Sequence, residues 1–286
     1  MIKNIALSAM ITLTAFSSLS CVRNSNVVFE PDADVATTVV EENAAPAPEN
    51  GDVSVETTAV ESDEFSLESR YKVSETLDLF DGKTLDGWTD ASGGAPKGWI
   101  VEDGILRLVD PENGNDIITD QPFDSYVFTF EWRFGRGCNS GVKYKIEKPN
   151  ENGWVGLEYQ IQDDANVEDG KIDDRRIASL FDVFPATPSS KADDYPPPTT
   201  AEPAGNFRRG KIVVAGSHVE HWLDEERVLS FEIGSSEWDV AKKESKFKNQ
   251  RRFGLVESSP ILLQCHGYPV DFRNLKLRKL SPISDQ

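Results

Sequence analysis

Tyr126-Val-Phe-Thr-Phe-Glu-Trp-Arg-Phe134 is the stretch on which the fold turns. Tyr126, Phe128, Phe130, Trp132 and Phe134 share one parity, and Val127, Thr129, Glu131 and Arg133 the other. A period of two sends successive side chains to opposite faces of a strand. The segment therefore reads as a half-buried antiparallel strand with its aromatics turned to a core. Working outward, short alternating runs recur at Trp99–Val101, Ile105–Leu108, Val142–Ile146, Leu157–Gln162, Lys211–Ala215, His218–Leu223, Val228–Ile233, Ile261–His266 and Phe272–Leu280, separated by Gly, Pro, Asn and Asp. Helical periodicity is scarce. Many short strands with frequent turn signals predict an all-β sandwich or jelly roll. Residues 185–205 read as a long Pro-rich loop, and the polar, Lys-rich residues 235–250 as a loop with a short helical turn.

Composition divides the rest of the chain. Residues 1–21 carry Lys3, an apolar run from Ile5 to Leu19 and then small residues, the layout of an export signal. The segment closes on Ser18-Leu19-Ser20-Cys21, which resembles a lipobox. Cys21 is thus the expected lipidation site, with ordinary signal cleavage as the other reading. The expectation is an exported protein of the periplasm or cell envelope, held to the membrane through an N-terminal lipid anchor. Residues 22–76 contain thirteen Asp/Glu against three Lys/Arg and few aromatics. Such a segment cannot bury enough apolar area to offset chain entropy, so a disordered acidic tether is predicted. The β-sandwich domain is expected over residues 77–281, with a tail at 282–286.

Over all 286 residues, 49 acidic side chains stand against 30 basic ones, a formal net charge of −19. Nucleic acid is excluded as a partner, because polyphosphate binding needs clustered positive charge. With only three histidines, His218, His221 and His266, a His-rich metal centre is excluded too. The G-x-S-x-G elbow, P-loop, H-E-x-x-H and C-x-x-C patterns are missing from the sequence.

What remains is a set of polar residues on strands. Asn139, Gly141, Lys143 and Lys145 share a parity after the Gly137-Cys-Asn-Ser-Gly141 turn, whose glycines suggest a bulge or a close backbone approach. Glu158, Gln160 and Gln162 alternate with Leu157, Tyr159 and Ile161, so three polar side chains share one face. Amides and carboxylates bind hydroxyls, and flanking aromatics suit sugar C–H surfaces; a solvated face is the alternative. Gln160 stands where laminarinase-type glycosidases carry a central Asp, so a paired-carboxylate retaining mechanism is not supported. Gln264 and His266 share a face at a strand end, where a His can serve as acid or base near neutral pH, or simply pack. His218–Leu223 reads as scaffold, since its two histidines are three residues apart on a strand and face opposite ways.

Together these motifs resemble the bacterial 3-keto-disaccharide hydrolase family. The resemblance runs through Leu79-Phe-Asp-Gly-Lys-Thr-Leu-Asp-Gly-Trp88, Trp99-Ile-Val-Glu-Asp-Gly-Ile-Leu106, Asn139-Ser-Gly-Val142, Glu158-Tyr-Gln160, Leu180-Phe-Asp182, Gly216-Ser-His-Val-Glu-His-Trp-Leu223, Leu262-Leu-Gln-Cys-His-Gly267 and Val270-Asp-Phe-Arg-Asn-Leu275. It implies a concanavalin/LamG-like β-sandwich acting on a carbohydrate substrate, with a non-catalytic lectin-like module as the alternative. The chain departs from the family at Cys265, where an acidic residue is usual, at Cys138, often Gly, at Tyr144-Lys145, usually an aromatic-Arg pair, and at Asp224-Glu225-Glu226, usually an Asn-Gly turn. The implied chemistry is C2 proton abstraction next to a 3-keto group, β-elimination of the aglycone and hydration. In it, His266 or Glu158 would move protons, Asp182 would hold the His or bind a hydroxyl, and Asn139, Lys145, Gln160 and Gln264 would bind substrate. No cofactor is called for; a divalent cation held by Glu158, Asp182 and His266 is an option. Cys138 and Cys265 flank Asn139 and His266, and export would permit a disulfide between them if the two segments meet. Two unbonded thiols is the other reading.

Overall fold

The protein, a computed structural model, is described over residues 66–150, 153–166 and 175–283. The export signal, Cys21, the acidic stretch to residue 65 and the final residues 284–286 lie outside the described residues. Among the described residues a four-residue helix α1, Leu67–Arg70, leads into fourteen strands. In chain order these are β1 Tyr71–Val73, β2 Leu77–Asp78, β3 Trp88–Asp90, β4 Trp99–Glu102, β5 Ile105–Leu108, β6 Ile117–Thr119 and β7 Tyr126–Phe134. There follow β8 Asn139–Asn150, β9 Gly153–Gln162, β10 Arg208–Ala215, β11 His218–Leu223, β12 Glu226–Glu232, helix α2 Ser236–Glu244, β13 Leu262–Leu263 and β14 Val270–Pro282.

The strands form two antiparallel sheets, a β-sandwich. The nine-stranded sheet runs β12-β11-β10-β7-β14-β5-β4, with β2 and β1 pairing further along β14. The five-stranded sheet runs β3-β6-β13-β8-β9. Strand β7 lies central in the larger sheet and keeps the alternation of its sequence: Phe128, Phe130 and Trp132 are buried, whereas Thr129 and Glu131 are not fully so. Opposite them Val142, Tyr144, Leu157, Tyr159 and Ile161 are buried from the smaller sheet, and Phe130 meets Tyr159 edge to face with centroids 5.2 Å apart. His221 lies in this core. Its Nδ1–H donates to the Ala178 carbonyl at 2.8 Å, which leaves Nε2 to accept from the Tyr144 hydroxyl at 2.6 Å. Burial pulls its pKa down to about 4, so it is a neutral packing residue.

Two expectations change, and one open alternative is decided in favour of unbonded thiols. Residues 66–76, read as the end of the tether, carry α1 and β1, and Tyr71–Val73 pair with Leu280–Pro282. The acidic surroundings hid a strand whose register its partner dictates; β14 likewise extends into the supposed tail. The Lys-rich segment holds a nine-residue helix, α2, whose N-cap Ser235 accepts the Trp238 N–H at 3.1 Å. Only Trp238 of that helix is buried, which is why no apolar stripe announced it. Cys138 and Cys265 are both free thiols. Cys265 instead directs its Sγ to the Pro111 carbonyl at 3.4 Å.

Candidate active site

The polar strip lies on the face of the five-stranded sheet turned away from the core. Register builds it in three rows. Lys143 is flanked by Leu262 on one side and Glu158 on the other. Next, Gly141 faces Gln160, and its carbonyl accepts the Gln264 N–H at 3.0 Å. Last, Asn139 faces Gln162. The Asn-Ser-Gly motif explains the middle row: a Cβ on Gly141 would stand 2.7 Å from Glu158 Oε1 and 2.9 Å from its Cγ. Glycine is needed there for space, because the Glu158 carboxylate lies over the bare Cα. Ser140, on the opposite parity, donates its hydroxyl to the Gln264 carbonyl at 2.9 Å and ties β8 to the segment after β13.

The free edge of β9 is closed by Ala178–Phe181. Ala178 N–H donates to the Gln160 carbonyl at 2.9 Å and Phe181 N–H to the Glu158 carbonyl at 3.1 Å. Ala178 and Asp182 both hold positive φ, 66° and 61°, a conformation disfavoured for residues with a Cβ. The bend carries the Asp182 carboxylate to the Lys246 backbone, whose N–H it accepts at 2.7 Å, and to within 4.0 Å of Arg175. Lys246, just past α2, is held at the rim with its ammonium 3.9 Å from the centre of the Phe181 ring.

These elements surround a buried acid with cations. Glu158 is buried, and desolvation lifts its pKa above the ordinary value, helped by Asp116 and opposed by Lys143 and Lys246. Lys143 Nζ stands 3.8 Å from Glu158 Oε2. Desolvation lowers the pKa of Lys246 against the pull of Glu158 and Asp182. Asp116 accepts the Cys265 N–H at 2.8 Å, and burial raises its pKa against that bond and the fields of Lys143 and His266. His266 is exposed at the rim. The order acid, ammonium, acid, ammonium across the strip permits a proton acceptor beside groups that stabilise developing negative charge.

The amides form the floor. Gln160 Nε2 donates to Asn139 Oδ1 at 3.0 Å and to Gln162 Oε1 at 3.2 Å. Gln160 Oε1, Gln162 Nε2 and Gln264 Oε1 are buried without a protein partner among the described residues. Buried polar atoms are ordinarily satisfied. Two acceptors and a donor left open along one strip match a ligand rich in hydroxyls.

Of the sequence-predicted residues, Asn139, Glu158, Gln160 and Gln264 come together on this strip, Asp182 and His266 stand at its margins, and Lys145 leaves it. Lys145 has φ 46° in a register break between Tyr144 and Glu147, and its buried amine donates to the Val256 carbonyl at 3.2 Å. The bulge breaks the parity on which the expectation rested. Lys143, one step earlier, is the lysine that reaches Glu158; its parity with Asn139 was the available signal. Asp116 and Lys246 had none, because distant loops deliver them. Among the described residues no group of three or more His, Cys, Asp and Glu side chains could hold a metal ion, so Glu158, Asp182 and His266 do not form the ligand set considered above. A groove of about 400 Å³ lies elsewhere, on the outward face of the nine-stranded sheet, lined by residues that include Thr129, Glu131, Lys211 and Trp222. There the Lys211 ammonium lies 3.3 Å from the indole centre and covers one ring face.

The chain is similar to known proteins. A 3-keto-disaccharide hydrolase of Bacteroides thetaiotaomicron is 28% identical over 236 residues, covering 71% of this chain and 78% of that protein. The crystal structure of a candidate glycosyl hydrolase from Parabacteroides distasonis ATCC 8503 is 26% identical with a TM-score of 0.61, over 72% of this chain and 94% of that one. A second P. distasonis structure, 21% identical with a TM-score of 0.53, covers 72% and 99% and shares the fold. Residues 75–278, which contain every row of the strip, match one family throughout, and the chain belongs to the 3-keto-alpha-glucoside-1,2-lyase-like domain family.

Proposed function

We propose that this glycosidase-type enzyme cleaves 3-keto-glycosides by C2 proton abstraction, β-elimination and hydration. One observation carries the proposal: a buried carboxylate, Glu158, lies over Gly141 within reach of two ammonium groups, on a floor of open amides. The ketone acidifies the C2 hydrogen. Glu158 takes that proton, and Lys143 and Lys246 stabilise the negative charge that gathers on O3. The electron pair then forms the C1–C2 double bond as the C1–O bond breaks. His266, at the open rim, gives a proton to the departing oxygen. Water returns OH to C1 and H to C2, so the sum is hydrolysis with no net redox change. Desolvation serves the first step, because a carboxylate with a raised pKa is a stronger base. The buried acid and flanking lysines favour this reading over a lectin-like module, which needs neither.

The deciding experiment compares 3-keto-glucosides with their unoxidised parents, with and without chelator, in heavy water. Aglycone release from the keto form alone, with solvent deuterium entering at C2, is the expected result. Release from the parent at equal rate would overturn the elimination route. Export and anchoring through Cys21 belong to the same proposal, supported by the Lys3, Ile5–Leu19 and Cys21 pattern.

A further inference from the structure

The groove of about 400 Å³ on the outward face of the nine-stranded sheet lies on the side of the sandwich opposite the polar strip. Register builds its floor in two rows. In the first, Lys211 on β10 and Lys276 on β14 stand on either side of Thr129 on β7, and Trp222 on β11 is the other neighbour of Lys211. In the second, Arg209 and Arg273 flank Glu131. The second row is matched within itself. Glu131 lies 2.7 Å from Arg273 and 3.9 Å from Arg209, and Arg209 reaches Glu225 at 2.6 Å. The first row is not. Lys276 has a loose, exposed pair with Asp78 at 3.7 Å. Lys211 is half-buried and forms no salt bridge among the described residues. Its ammonium lies 3.3 Å from the centre of the Trp222 indole. Glu220, whose field reaches Lys211, is already engaged by the Trp222 indole N–H at 2.7 Å, Arg227 at 3.1 Å and His218 at 3.3 Å. Desolvation lowers the Lys211 pKa, and Arg278 adds to it, against the pull of Glu220 and Glu225. The indole face offsets part of the cost of holding an ammonium away from water. A charge so held is stabilised far more by a paired anion. One ammonium is thus left unmatched at the wall of an open groove.

We propose that this groove is a second binding site, for a sugar unit carrying a single negative charge, with that charge seated on Lys211. The inference is independent of the reaction proposed above. Charge complementarity selects the anion: with the second row neutralised, one negative group balances the one unmatched ammonium, and a carboxylate or a sulfate ester supplies it. The remaining lining selects hydroxyls. Thr129 spends its hydroxyl on a long 3.4 Å bond to the Lys276 carbonyl. The register break between Arg273 and Lys276 brings Asn274, at φ 52°, to the groove wall. A hydroxyl, an amide and the Glu225 carboxylate offer acceptors and donors to a ring of hydroxyls. A bare small anion would leave them, and most of the volume, without a partner.

The test titrates the protein with sodium glucuronate, glucose 6-sulfate, glucose and sodium acetate, and follows the indole N–H resonance of Trp222 by NMR. At least one of the two anionic sugars should shift that resonance and bind roughly tenfold or more tighter than glucose or acetate, as one charge-assisted contact requires. The tighter of the two names the acidic group. Lys211→Met keeps an apolar stem against the indole and removes the charge. It should weaken binding of the anionic sugar roughly tenfold and leave glucose unaffected. Glucose binding as tightly as the anionic sugars would overturn the charge assignment, and acetate binding as tightly would overturn the sugar. Binding that persists undiminished in Lys211→Met would put the ligand elsewhere, on the polar strip for example, and overturn the site. The wild-type resonance decides even where that variant does not fold: a Trp222 signal that neither anionic sugar moves rejects the groove.

Discussion

Gly141 has no backbone need to be glycine: its φ is not among the positive ones, and only the space above it is used. Gly141→Ala should therefore fold, at a cost of about 1–3 kcal/mol for overpacking, while forcing Glu158 off its resting place. A displaced base can cost on the order of 10²-fold in kcat/KM. Full activity with an unchanged melting temperature would show that the carboxylate does not need that position. Glu158→Gln separates chemistry from packing. Removing the base should lower kcat roughly 10²- to 10⁴-fold. Stability should move the other way. The folded pKa of Glu158 is raised, so above the ordinary carboxylate value the native state holds a proton that the unfolded chain releases, and stability falls as pH rises through that window. Neutral Gln escapes this cost. The variant should melt higher than wild type at pH 8, with the gap closing toward pH 4; a lower melting point at pH 8 would mean that the two lysines need the charge more than burial resists it.

Elements show what the sequence could tell. Strands β5, β7 and β11 match their runs to the residue; β5 and β7 show the alternating burial that imposes a period of two, whereas β11 is buried on both faces. Strands β1, β2, β3 and β6 have two or three residues, too few for a period, and their partners set their register. The site follows the same division. Asn139, Glu158 and Gln160 were legible because β8 and β9 keep parity from row to row; Lys145 misled because a bulge lies between it and them, and Asp116 and Lys246 arrive from segments that pair with neither strand. Strand β1 supports a prediction at this scale. Leu67 and Tyr71 pack on Val127, Val213, Ala215 and Leu280, and Ile283 N–H returns to the Arg70 carbonyl at 2.8 Å. A chain starting at Leu77 should melt about 5 °C below one starting at Ser66, as expected for about 2 kcal/mol in a domain of this size. Equal melting would make β1 ornamental. The β11–β12 edge supplies a pH prediction. His218 Nδ1 lies 2.6 Å from Glu232 and Nε2 3.3 Å from Glu220; burial alone would lower the His pKa, but the two carboxylates outweigh it and raise it. Its stabilisation is then complete below the unfolded value near pH 6.5 and lost as pH climbs through the raised folded value. His218→Gln should flatten the fall in melting temperature over that range, and an unchanged slope would assign the fall to other groups.

At the scale of the molecule, charge and placement have to agree with the proposed substrate. The net charge of −19 is shared between the two parts of the chain: residues 22–76 contribute thirteen acidic side chains against three basic ones, and the rest carries a similar excess. The reacting strip, by contrast, brings Lys143 and Lys246 to its acids. If Cys21 carries a lipid, that acidic stretch joins the anchor to the domain, and an anionic leaflet would repel it and keep the strip off the surface. A single acyl chain gives only marginal membrane binding, whereas a diacylglycerol thioether supplies two chains and a stable anchor. Palmitate labelling of cells should mark the wild type and not Cys21→Ala, and the wild type should sediment with membranes while the variant is found in the soluble exported fraction. Raising salt should leave the wild type on the membrane, because its attachment is apolar. Equal labelling of the two proteins, or release of the wild type by salt, would overturn the anchor.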